Sequence, residues 1–194
     1  MRMFCLLLLL APVAGNAQPA DDWVTYLATY PKGTGSVQTN LALLPKAPVD
    51  GYRYLVSTGV RIKECPPGGL PTSRELNTLY TIANGLAQLL EKKKRTISAG
   101  SLTYQCQRIE YFYVNDTTLL RRYLTEFYTR SYPHYSYIIR LEEDRDWKHY
   151  RSFLYPKPEI MESMKNQQVL LQLTQAGDKL TKERRIDHTL LFPS

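Results

Sequence analysis

Histidine and cysteine are scarce in this chain of 194 residues, with three of each. No His-Glu-x-x-His and no Cys-x-x-Cys occurs, so the sequence carries no zinc signature and no metal is expected. No Gly-x-Ser-x-Gly elbow places a serine nucleophile. Glycine-rich phosphate cradles are also missing, since Gly68-Gly69 lies between prolines and reads as a turn, and no cofactor is implied. The N-terminal apolar run is too short to cross a bilayer, and no later stretch is apolar enough to do so. With 43% hydrophobic and 22% charged residues, the composition excludes a disordered tail and a collagen-like fibre.

What is present in excess is tyrosine and positive charge. Tyr makes up 15 of the 22 aromatic residues, and Lys plus Arg number 25 against 18 acids, for a formal charge of +7. The length suits one domain.

Residues 1 to 17 read as an export signal: Arg2, an apolar stretch from Met3 to Val13, then Gly15 and Ala17 before Gln18. This predicts a periplasmic or extracellular protein. Removal would take Cys5 and one positive charge, so +7 becomes +6. Cys65 and Cys106 would remain, and in an oxidising compartment they are disulfide candidates. The alternative is a reactive thiol beside a histidine.

From Asp21 to Leu44 an alternating pattern surrounds the turn cluster Pro31 to Gly35, which predicts a hairpin. Tyr52 to Lys63 alternates strictly and is the clearest strand. Thr72 and Glu75 are spaced as a capping box before an amphipathic helix that runs to about Lys94. The basic run Lys92 to Arg95 then complements the helix dipole, or else forms a nucleic-acid patch.

Ile97 to Val114 predicts two strands, with Ser98 to Ser101 as a bulge or turn. Asn115 and Asp116 are candidate caps for a second helix carrying the stripe Leu120, Tyr123, Leu124, Phe127 and Tyr128. Tyr135 to Leu141 predicts a further strand, and Asp144 opens a short helix bearing Trp147. Pro156 and Pro158 separate that helix from a longer one ending at Ala176-Gly177, and Ile186 to Phe192 reads as a last strand. The order predicts a single α+β domain: an antiparallel or mixed sheet with helices packed mainly on one face. Residues 18 to 156 would form its body, and 157 to 194 a helix and strand packed onto it.

Three segments together resemble a known bacterial family. They are Asp22-Trp23 before the hairpin, Gly69-Leu70-Pro71 with Glu75, and Asp146-Trp147 through Tyr150, Phe153 and Leu154 to Pro156. The resemblance, over roughly residues 22 to 156, is to the domain of unknown function 695, and it implies no activity. The tail, from Ala176-Gly177-Asp178 to Arg184-Arg185-Ile186-Asp187-His188 and Phe192, is similar to the opening of the regulator of ribonuclease activity B domain. That second resemblance implies inhibition of a cytoplasmic ribonuclease through an acidic ferredoxin-like domain. This chain is basic, carries an export signal and stops at Ser194, so the inhibitory role is not carried over.

Two sets of residues could carry function. Glu142, Glu143, Asp144 and Asp146 with His149 hold catalytic-type side chains in one short stretch, suited to a hydrolase or metal-dependent enzyme. The alternative is a solvated loop in which Asp144 or Asp146 caps the next helix. Arg108, Arg121, Arg122, Arg130 and Arg140 lie in Tyr-rich segments, where rings can stack while guanidinium groups meet anions. Most of these tyrosines fall at strand or helix-stripe positions, where a half-buried sheet uses them. The function expected is a non-catalytic binding module for a protein, glycan or envelope component, with nucleic acid unlikely.

Overall fold

Two chain reversals set the architecture. In the computed structural model, which describes residues 21–177, a hairpin of β1 (Trp23–Tyr30) and β2 (Gly33–Asn40) turns at Pro31-Lys32. The second hairpin joins β4 (Thr96–Tyr104) to β5 (Gln107–Val114) through Gln105 and Cys106, both at positive φ. Between them lie β3 (Tyr54–Arg61) and α1 (Ser73–Lys93). After them come α2 (Leu120–Ser131), β6 (Tyr137–Glu143) and α3 (Pro158–Gln175). The expected export signal and the expected last strand, Ile186 to Phe192, fall outside the described residues.

The six strands form one antiparallel sheet in the order β1-β2-β4-β5-β3-β6. Antiparallel pairing on both sides of β5 leaves β3 and β4 parallel, joined by α1. In the same way β5 and β6 run parallel across β3, joined by α2. These are two interlocked split β-α-β units, the ferredoxin-like β-α-β-β-α-β arrangement, extended at one edge by the first hairpin. The fold is a single α+β domain.

Strand alternation sorts side chains to two cores. Val56, Val60, Phe112 and Val114 face α1 and α2, meeting Leu79, Leu86, Leu90 and Leu124. Leu55, Tyr111 and Tyr113 face the other way, against Trp147, Tyr150 and Leu154. Helices α1 and α2 therefore share one face, as expected. The opposite face is also covered, by a 3-10 turn (Leu41–Lys46), a π turn (Tyr150–Leu154) and the first turns of α3. Each fully buried leucine here contributes about 1.5–3 kcal/mol.

Local chemistry explains most boundaries and corrects some. Thr72 Oγ1 accepts from Glu75 N–H at 3.3 Å, which caps α1. Glu75 does not complete the box; it turns inward, where Oε1 accepts from Lys63 N–H and Tyr135 O–H at 3.2 and 3.1 Å. Leu41 and Leu43 do not continue β2 but enter the 3-10 turn, capped by Asn40. Ser98 to Ser101 is a bulge, not the turn, and the register shifts between Ser98 and Gly100. Asp116 closes a turn on Thr118 N–H at 2.6 Å, and α2 starts later from Leu119, at positive φ and with no side-chain cap. Where β3 crosses β5, a Cβ on Gly59 would lie 1.9 Å from Arg108 O, so only glycine fits. Cys65 and Cys106 form a disulfide with Cα atoms 5.5 Å apart, which ties the loop before α1 to the β4–β5 turn.

Candidate functional site

The acidic segment is spent on architecture. Asp144 Oδ1 accepts from Lys148 N–H at 2.8 Å, while Oδ2 accepts from His149 N–H at 2.9 Å and Tyr113 O–H at 2.6 Å. Burial, reinforced by the Asp144 carboxylate, pushes the Tyr113 hydroxyl far above the usual phenol range. Trp147, at positive φ, stacks on Tyr113 with ring centroids 3.9 Å apart, and its Nε1 donates to Tyr52 O at 2.7 Å. Asp144, rather than Asp146, is thus the cap of the Trp147 segment.

Its neighbours do not assemble a reaction centre. Glu143 pairs with Arg145 at 2.7 Å, and Glu142 and Asp146 are exposed. His149 is sandwiched by Tyr111 and Phe153, each with a centroid 4.6 Å away, and its Nε2 is buried without a partner. Burial holds its pKa below the usual value, against the opposing pull of Glu142 and Asp144. Glu142, Glu143, Asp144 and His149 line a shallow depression of about 360 Å³, and Asp146 stays outside it. Among the described residues no three His, Cys, Asp or Glu are grouped to hold a metal ion.

The five arginines also separate. Arg122 pairs with Glu126 on the outer face of α2, and Arg121 Nη1 donates to Ile139 O at 3.2 Å across the edge of β6. Arg130 lies exposed in the last turn of α2, and Arg140 is paired in register with Ser57 on the opposite face of the sheet. Arg108 differs from the other four. It is only 7% exposed, its Nε donates to Glu110 Oε1 at 2.6 Å, and its Nη1 donates to Thr103 Oγ1 at 3.3 Å.

The Arg108–Glu110 pair forms the floor of a groove. On the face covered by α1, the helix reaches β4 and β5 but leaves the hairpin strands open, so a channel of about 260 Å³ runs between them. Tyr80 of α1 lies over the Arg108 guanidinium at 5.0 Å from its ring centroid and remains 44% exposed. Trp23 of β1, 40% exposed, forms the opposite wall, with Gln38 and Asn84 adding amide groups. Burial raises the Glu110 carboxyl pKa, and the Arg108 guanidinium offsets only part of that rise. An aromatic wall on each side of a polar, charged floor suits a ligand with flat apolar faces and hydroxyl edges.

Sequence reasoning picked Arg108 but missed Trp23, Tyr80 and Glu110. One signal was there: Arg108 and Glu110 occupy alternate positions in a strand that continues as Tyr111-Phe112-Tyr113, so both point to the same face.

Residues 21–155 match the family described as "Family of unknown function (DUF695)", and the chain belongs to it. No curated protein and no solved structure matches the chain. The groove and the Asp144 cap both lie inside the matched region.

Proposed function

We propose that this chain is an exported, non-catalytic binding module whose groove beside α1 holds a segment of an envelope glycan. The observation that carries the reading is the Arg108–Glu110 pair lying between exposed Trp23 and Tyr80. A sugar ring offers an apolar face to an aromatic side chain and hydroxyls to carboxylate, guanidinium and amide groups. The hydrolase reading loses support because the Asp144 carboxylate is committed to two backbone N–H groups and a phenol. Nucleic-acid binding needs a contiguous basic face, and the five strand and helix arginines do not supply one.

The chain has two tryptophans, of which Trp147 is fully buried, so ligand-dependent fluorescence reports on Trp23. Titration with neutral hexose and N-acetylhexosamine oligomers is expected to shift that emission saturably. The shift should disappear in Trp23→Phe and in the double variant Arg108→Met/Glu110→Leu. Titration curves that stay flat for every oligomer, or that survive the double variant, overturn the glycan reading. Export is checked separately: mature protein recovered from the periplasm or medium should begin at Gln18.

A further inference from the structure

A second cleft, which shares no lining residue with the groove, gathers arginines that no sequence pattern placed together. Arg53 precedes β3, Arg95 links α1 to β4, and Arg145 follows β6, yet all three line one cleft of about 620 Å³. The wall facing them is the loop from Pro48 to Tyr52, which includes Gly51 at positive φ.

The backbone at Arg53 and Arg95 is pinned. Arg53 O accepts from Asp144 N–H at 2.8 Å, and the adjacent Tyr52 O accepts from Trp147 Nε1 at 2.7 Å. Arg95 N–H donates to Asn115 Oδ1 at 3.1 Å, while Asn115 N–H donates to Arg95 O at 3.3 Å. The side chains are steered as well: Arg53 lies over Tyr54 at 5.2 Å, Arg95 over Tyr52 at 5.1 Å, and Arg145 Nε is held by Glu143 at 2.7 Å.

Charge in the cleft is not balanced. Arg53 and Arg95 have no ion-pair partner among the described residues, and Asp50 is the one carboxylate on the wall. An open depression next to it shares Arg95 and Asn115 and adds Lys92, Lys93 and Lys94 against Glu91 and Asp116. Lys94 is already paired with Asp116, and Lys93 lies over the Tyr123 ring. The result is a positive funnel that ends at two uncompensated guanidinium groups. Guanidinium is the side chain whose planar fork matches phosphate oxygens, and pre-positioned donors lose less entropy on binding.

We propose that the Arg53–Arg95–Arg145 cleft is an anion site that takes a phosphate monoester. Three guanidinium groups brought from three elements suit a tetrahedral anion with several peripheral oxygens better than a planar carboxylate. The site is independent of the glycan groove, whose variants leave it intact.

Calorimetric titration of the mature chain with glucose 1-phosphate, a soluble phosphate monoester, tests the site. Saturable binding is expected, weakened about tenfold or more by Arg53→Gln or Arg95→Gln, and less by Arg95→Lys, which keeps the charge but loses the fork. Lys92→Gln is expected to change affinity about twofold or less, since it acts only through the field. Unchanged circular dichroism and melting temperature establish that each variant is folded. Phosphatidic-acid vesicles, run in parallel, separate a soluble ester from a lipid headgroup, and saturable Arg95-dependent binding of either supports the site. Absence of saturable binding of glucose 1-phosphate and of phosphatidic-acid vesicles alike, binding by the Arg53 and Arg95 variants equal to that of the unaltered chain, or equal competition by acetate overturns it.

Discussion

The segment from Glu142 to His149 and the strand β5 exchange roles between sequence and structure. The first is dense in carboxylates and reads as chemistry, yet Asp144 is absorbed into a cap that fastens Trp147 and Tyr113 into the core. The second reads as a strand rich in tyrosine, yet it carries Arg108 and Glu110 to the floor of an open groove. Density of ionisable residues reports mainly on solvent exposure. A charged pair at alternate positions on a central strand is the rarer observation, because burying charge is costly and needs a compensating partner.

The comparison can be broken most severely at Trp147. Trp147→Ala should destabilise the fold by about 3–5 kcal/mol, because it removes a fully buried indole stacked on Tyr113. Chemical denaturation measures this, and a loss below about 1 kcal/mol would mean that the acidic segment is not part of the core.

Next in size is the β5 pair. Arg108→Met alone leaves Glu110 without its cation and should cost about 3 kcal/mol. Arg108→Met/Glu110→Leu should restore much of that stability while abolishing ligand binding, which separates the pair's role in the groove from its role in the fold.

Asp144→Ala should cost about 2 kcal/mol through the lost backbone and Tyr113 hydrogen bonds. Asp146→Ala, in the same acidic cluster, should stay within about 0.5 kcal/mol. Equal effects at the two positions would erase the distinction between cap and bystander.

The smallest effect is a pH slope. Because the folded pKa of His149 is lowered, its contribution to stability is present above the unfolded value near 6.5. It is lost as pH falls through the lower folded value. Melting temperature should therefore decline on acidification through that window, and His149→Phe should flatten the decline there. An unaltered slope in the variant would place the titration elsewhere.

Much of the fold was legible in the sequence, because period-2 and helical patterns survive in β1, β3, α1 and α2. The order of strands and helices was also readable, although their interlocking was not: nothing local reveals that β3 lies between β5 and β6. The β4–β5 turn was hidden because Gln105 and Cys106 both sit at positive φ, where glycine and asparagine are the usual signals. The start of α2 was hidden for the same reason, at Leu119. Neither the groove nor the arginine cleft could be read locally, since each joins residues from three or more elements.

The position of β3 also governs assembly in time. Residues 54–61 pair with 107–114 on one side and 137–143 on the other, so this interior strand, one place in from the β6 edge, waits long for both neighbours. A chain delivered N-terminus first can close its opening hairpin early. It keeps β3 with a bare edge until Tyr137–Glu143 arrive. Any truncation before that strand would leave the buried β3 as a bare sheet edge.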